Sequence, residues 1–272
     1  MQKHSNVSDS PFERDKIADD LYNRLGAEDA KHRESINANF GTKDLLQTIS
    51  GYLNLREGQT VFDIGCGSGK HLQHFAELVG DSGKAVGLDF SIDAVNNTKK
   101  LGLTCFEGDG STLPFEKESA NAINCAYAIY YFSDVTQTIQ EFFRVLKASG
   151  KLVICGPSLG TNKELYNFHT DLTGKSPSDA DLMAIGYVQE KVAPLITETF
   201  GSVNEFTFKN KINFPSHEDF INYWQSTSLV RRTLTDSERL HFSKIAKEQL
   251  SEKYSSISIT KMTSIISVSK LP

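Results

Sequence analysis

Long apolar runs are missing from this chain: no stretch approaches the roughly 18–20 residues that a membrane-spanning helix needs. The opening MQKHSNVSDSPFERDK lacks the apolar core of a secretory signal, so roughly its first dozen residues read as a frayed tail. Basic clusters are lacking too. Against 34 Asp and Glu stand 29 Lys and Arg, a formal charge of −5, and no four basic residues are adjacent; no footprint for nucleic acid or an anionic membrane is visible. Cysteine is sparse: Cys66, Cys105, Cys125 and Cys155 form no C-x-x-C pair, which argues against a disulfide framework or zinc site and for buried free thiols in a reducing cytoplasm. The 272 residues that remain to be explained have an ordinary globular composition and can bury a sizeable core, as one large domain or as a core domain with a cap.

What is present is an alternation. Helical spacing runs over Ile17–Leu25 and from Asp44 to Leu53; a short apolar strand follows at Val61–Ile64 and a helix at His71–Val79. Strands at Ala85–Asp89, Leu103–Glu107, Ala122–Ala126 and Lys151–Cys155 are separated by helices at Ile92–Leu101 and Val135–Leu146. Strands alternating with helices of about ten residues imply an α/β fold with a parallel sheet and helices on both faces. Beyond Gly156 the chain becomes polar and reads as loop to about Pro194, with a helix at Glu190–Phe200, a sixth strand at Val203–Lys209, helices near His217–Ser226 and Asp236–Glu252, and a closing strand at Ser256–Val268. Residues 1–40 then form a tail and helices suited to a lid, residues 41–272 the main domain, and cap insertions fall near 156–190 and 212–254.

The densest motif is VFDIGCGSGK at 61–70, where Gly65, Gly67 and Gly69 follow a buried strand directly. Such a turn lets a ligand approach the backbone and aims the next helix N-terminus at it. A nucleoside triphosphate, a dinucleotide and S-adenosylmethionine all compete for it. A P-loop requires a hydroxyl after Gly-Lys, but His71 follows Lys70, and Ile64 stands where its first glycine belongs. The G-x-G-x-G spacing also departs from the dinucleotide G-x-G-x-x-G. Asp63, two residues before the first glycine, suits the ammonium of a bound amino acid, which S-adenosylmethionine has and NAD lacks. Asp89 at the end of the second strand suits ribose hydroxyls, and Asp109 after the third suits an adenine amino group. Three acids at three successive strand ends face one crevice.

VFDIGCGSGK, VGLDFS, EGDGSTLPFE and EFFRVLKASGKLVICGP, spread over Thr42–Pro157, resemble the class I S-adenosylmethionine-dependent methyltransferases of the group that includes the ubiquinone and menaquinone biosynthesis enzymes. The resemblance implies a Rossmann-like, mostly parallel seven-stranded sheet with a small helical cap. It also implies a cofactor site of Asp63, Gly65, Gly67, Gly69, Asp89, Phe90, Asp109, Gly110 and Cys125, with Leu113 as an apolar neighbour, S-adenosylmethionine as donor and S-adenosylhomocysteine as product. Two departures, Asn121 for the family's Asp and Ala148-Ser-Gly for its Pro-Gly-Gly, lie away from cofactor chemistry.

Methyl transfer is an in-line displacement that needs positioning and exclusion of water but no metal and no covalent nucleophile. Asn124-Cys-Ala-Tyr127 occupies the place where base and glutamine N-methyltransferases carry Asn/Asp-Pro-Pro-Tyr; without the prolines, a small molecule is the expected acceptor, at O, N or C. Tyr127 and Tyr131 are candidate catalytic residues, set against packing of the Tyr127, Tyr130, Tyr131 stripe. His169 is a candidate base, set against a structural histidine; His217 is a second, and His71 or His74 can approach the cofactor carboxylate. Trp224, Phe214, Phe220 and Tyr223 suggest a cap over the substrate or a helical extension of the core. The expected protein is a cytoplasmic monomer or homodimer. An NAD-dependent oxidoreductase and a non-catalytic cofactor-binding protein are the alternatives.

Overall fold

The computed structural model describes residues 27–253 and 257–272, so the helix expected at Ile17–Leu25 lies outside the described residues. Two helices, α1 (Ala27–Phe40) and α2 (Leu45–Leu53), precede a regular alternation: β1 (Thr60–Ile64), α3 (Lys70–Val79), β2 (Lys84–Asp89), α4 (Ile92–Lys100), β3 (Thr104–Glu107), β4 (Ala120–Ala126), α5 (Val135–Val145) and β5 (Leu146–Pro157). Local chemistry explains the boundaries. Asp44, Ser91 and Asp134 each accept a hydrogen bond from the backbone three residues on and start α2, α4 and α5. On α5 the buried Thr138, Ile139, Phe142 and Val145 recur at helical spacing and face the sheet.

The seven strands are ordered β3-β2-β1-β4-β5-β7-β6, including β6 (Asn204–Phe214) and β7 (Ile257–Ser269). The first five are parallel, and β7 runs antiparallel to both β5 and β6. From β1 the chain travels outward to β2 and β3, then crosses back to β4 on the other side of β1. That reversal opens a crevice at the C-terminal ends of β1 and β4, where ligands of open α/β sheets bind. The strand period of two sorts the side chains. Phe62, Ile64, Ile123 and Cys125 enter one core with Phe142 and Ile154, while Val61 and Ala122 enter the other with Ile49, Phe75 and Val153.

The late part is more helical than its polarity predicts. Residues read as loop from 156 to 194 contain α6 (Lys163–Thr173), α7 (Asp179–Leu182) and a π-helical turn at Val188–Val192 that leads into α8 (Ala193–Phe200). Their apolar stripes are narrow: α6 buries only Leu165 and His169, one turn apart. The sixth strand likewise continues past Lys209 to Phe214, because Phe208, Asn210, Ile212 and Phe214 alternate inward. Between β6 and β7 lie α9 (His217–Gln225), α10 (Ser228–Thr233) and α11 (Asp236–Lys253). With α1 and α6 they enclose a second core around Trp224, Tyr223, Phe220, Phe214 and Val230. Trp224 and Tyr223 are therefore anchors of a helical lobe. All four cysteines are free and buried, with the sulfurs of Cys66 and Cys105 3.4 Å apart.

Candidate functional site

A cavity of about 670 Å³ opens at the β1/β4 reversal, within the roughly 300–1,000 Å³ of small-molecule and cofactor sites. One half is walled by Gly65, Cys66, Gly67, Ser68, Asp89 and Phe90, the other by Tyr127, Tyr131, Phe208, Asn210, Lys261 and Thr263, with α1 and the 41–46 segment alongside. The structure thus brings Gly65, Gly67, Asp89, Phe90, Tyr127 and Tyr131 together on one cavity wall.

Asp89 holds the glycine loop. Its carboxylate, 1% exposed, accepts from Gly67 N at 2.8 Å through one oxygen and from Ser91 N at 2.9 Å through the other. Burial raises its pKa. Gly65, Gly67 and Gly69 all have positive φ. At Gly65 a Cβ would lie 2.2 Å from the Cβ of Ala128, so this glycine is demanded by the neighbouring turn after β4 as well as by the crevice.

Several predicted residues lie off the wall. Asp63 sits beneath the loop, 1% exposed, accepting from Asn124 Nδ2 at 2.7 Å; its other oxygen has no partner. Burial, together with the charge of Asp89, raises it to about 7. Gly69 starts α3 and faces Thr98. The Asp109 carboxylate stitches two turns, accepting from Ser111 N at 2.8 Å and from Ser133 N and Oγ at 3.1 Å. Gly110 is packed under the ring of Phe132, which does line the cavity. Cys125 is a correction: strand alternation turns it away from Asp63 and Asn124 into the apolar core. His169 is another. It is fully buried in the lobe, its Nδ1 accepting from Trp224 Nε1 at 3.1 Å and its Nε2 paired with Thr233 Oγ1 at 3.0 Å. Because Trp can only donate and the Thr233 hydroxyl donates to Leu229 O, the ring is neutral with its proton on Nε2. It is a structural histidine. His217, the first residue of α9, is absent from the cavity wall as well.

Sequence reasoning gave His71 only a minor place. It lines the cavity, and burial, with Lys70 adding to it, lowers its pKa to about 4. Its Nδ1 lies 3.4 Å from Asn124 Nδ2, which assigns the ring proton to Nε2. The signal was its position one residue into the helix after the loop. Tyr127 leaves β4 in the left-handed region, φ 56°, with its N–H bonded to Cys155 O at 2.8 Å. That conformation is unusual for an aromatic residue and turns attention to its role. The side chain is 39% exposed, and its hydroxyl meets Thr263 Oγ1 at 2.6 Å. Burial pushes Tyr131 up to about 12. Tyr130, third of the stripe, packs edge-on against Tyr131 and Tyr187.

Sheet order, glycine loop and cavity define a Rossmann-like methyltransferase fold. Residues 55–205 match a family profile described as a methyltransferase domain, and the chain belongs to that family. A demethylmenaquinone methyltransferase of Lactococcus lactis is 34% identical over 122 residues, covering 41% of this chain and 48% of that protein. A 2-phytyl-1,4-naphtoquinone methyltransferase of Thermosynechococcus vestitus is 29% identical over 113 residues, 40% of this chain and 50% of that one. The chain spans about half the length of these curated relatives. Among solved structures, a putative methyltransferase from an antibiotic biosynthesis pathway of Anabaena variabilis superposes with TM-score 0.60 at 16% identity, over 81% of this chain and 95% of that one, which shows the shared fold. Among the described residues no helix is long and apolar enough to cross a membrane, and no three His, Cys, Asp or Glu are placed to hold a metal ion.

Proposed function

We propose that the protein transfers the methyl group of S-adenosylmethionine to a small-molecule acceptor. The observation that carries this reading is the convergence of Gly65, Gly67, Asp89 and Tyr127 on one cavity at the strand-order reversal, in a chain of a methyltransferase-domain family. The residues suit the cofactor: Asp89 on the cavity wall offers a carboxylate to a ribose hydroxyl, Phe90 offers an apolar face, and the glycines leave room over the loop. His71, neutral with Nε2 protonated, offers a donor to the amino-acid carboxylate, while Asp63 lies buried beneath the loop and off the cavity wall. When bound, the sulfonium supplies an electrophilic methyl group and leaves as a neutral thioether.

The chain's part is positional. Tyr127 and Tyr131, after β4, line the acceptor side; Tyr127 is 39% exposed and its hydroxyl is held by Thr263, while burial raises Tyr131, so both act as neutral donors rather than bases. The walls' task is to hold a nucleophile about 3 Å from the methyl carbon. Family membership disfavours the oxidoreductase alternative, which also leaves Asp63 and the loop spacing unexplained. Calorimetry with S-adenosylmethionine, S-adenosylhomocysteine and NAD tests the reading. Binding of the first two and not the third is expected; binding of NAD alone would overturn it.

A further inference from the structure

The half of the cavity farthest from the glycine loop is built by β6 and β7. In their antiparallel register Phe208 pairs with Thr263 and Asn210 with Lys261, and all four line the cavity. The segment after α1 is clamped on top: Lys43 N donates to Asn210 Oδ1 at 3.0 Å, and Thr42 Oγ1 to the same oxygen at 3.3 Å. This brings Lys43 to the rim, its Nζ 6.0 Å from the centroid of Phe208. Lys261, half-buried on the wall, has its Nζ 5.5 Å from the centroid of Tyr223. Among the described residues neither ammonium has a carboxylate within ion-pair distance. Arg33, which donates to Ser226 O, adds a third positive charge; among the described residues the acids on the cavity wall are Asp44, its carboxylate capping α2 at Gln47 N, and Asp89 at the glycine loop. A chain of net charge −5 has thus gathered cations at one end of its cavity.

We propose that the methyl acceptor is an anion, a flat apolar body carrying a carboxylate or phosphate group, with the body against Phe208 and Tyr127 and the charge at Lys261 and Lys43. This rests on the methyltransferase reading and narrows its substrate. Lys43 is exposed at the rim, but Lys261 is half-buried, and an ammonium over an aromatic face is only partly compensated for lost water; an anionic oxygen completes it with a charge-assisted hydrogen bond. A neutral quinone of the kind that the relatives' names suggest leaves the half-buried Lys261 without an anion.

The test uses the full chain saturated with S-adenosylhomocysteine and titrated by calorimetry with 2-naphthoate, 2-naphthyl phosphate and 2-naphthol, three probes with one ring system. At least one anion is expected to bind about tenfold tighter than the neutral naphthol. The stronger of the two anions identifies the group. Lys261→Met should abolish that preference, Lys261→Arg should retain it, and Lys43→Met should reduce it, all with unchanged melting temperature and S-adenosylhomocysteine affinity. Equal binding of naphthol, a preference that survives Lys261→Met, or no binding of either anion overturns the proposal. Loss of S-adenosylhomocysteine affinity in Lys261→Met also overturns it, because the cation then serves the cofactor. Failure of the parent protein to bind S-adenosylhomocysteine at all refutes the methyltransferase reading instead.

Discussion

Gly65→Ala puts one methyl group where β1 meets the turn after β4, and its cost can be worked from the geometry. Gly65 has φ 76°, in the left-handed region, where a Cβ costs about 1–2 kcal/mol. The new carbon would lie 2.2 Å from the Cβ of Ala128, far inside a normal carbon contact. Ala128 cannot easily retreat: Tyr127 N is bonded to Cys155 O at 2.8 Å on one side, and Ala128 O accepts from Tyr131 N at 2.9 Å on the other. Overpacking of this kind adds about 1–3 kcal/mol, for a combined loss of about 2–5 kcal/mol. That is a large share of the ~5–15 kcal/mol that stabilises a typical domain. Gly102→Ala supplies the control, since its φ is 78° but a Cβ there meets nothing within 4 Å. Urea unfolding followed by far-ultraviolet circular dichroism measures both. Gly65→Ala should lose more than Gly102→Ala, and adding Ala128→Gly should recover the packing part of the difference. Equal losses in the two alanine variants, or no recovery in the double variant, would refute the steric account of this glycine.

Asp89→Ala removes the acceptor of the Gly67 and Ser91 N–H groups and should weaken S-adenosylhomocysteine binding about tenfold or more by calorimetry; parental affinity sinks its role. His169→Ala leaves the Trp224 N–H unpaired in an apolar lobe and should cost about 2–4 kcal/mol while sparing cofactor affinity, the reverse of what a catalytic base predicts. Asp63 makes stability depend on pH with a definite sign. Its pKa is raised from 3.8 to about 7, so the folded chain retains a proton that the unfolded chain has already lost across that window. Its contribution is fullest at or below pH 3.8 and is lost as pH rises through about 7, by roughly 4 kcal/mol, and Asp63→Asn should flatten that slope in melts taken across the window. A slope unchanged by the substitution would assign it to other groups.

Much of the sheet was legible because the relevant signals are local. The strand-helix alternation of residues 60–157 follows from hydrophobic period, capping residues and glycine breaks, each read within a few positions. Legibility falls where partners are distant in sequence. The helices at Lys163–Thr173 and Asp179–Leu182 read as loop from the sequence, since the first buries only Leu165 and His169 and the second, among the described residues, buries none. The continuation of β6 to Phe214 becomes favourable only through its pairing with β7, which follows more than forty residues later. His169 looked like a base because an imidazole between Phe168 and Thr170 says nothing of Trp224, 55 positions away, which takes its acceptor nitrogen.

By itself the sequence determined the α/β class, the turn built of Gly65, Gly67 and Gly69, and the acids at three strand ends, because backbone conformation and hydrophobic period are properties of adjacent residues. Tertiary structure decided what those residues face. Strand alternation sends Cys125 into the core and pairs Asp63 with Asn124, while Asp109 is spent on Ser133 rather than turned to the cavity. It also decided that Lys43 and Lys261, 218 positions apart, share one wall with Phe208 and Asn210, since side chains so distant meet only when an antiparallel pair and a clamped loop bring them together.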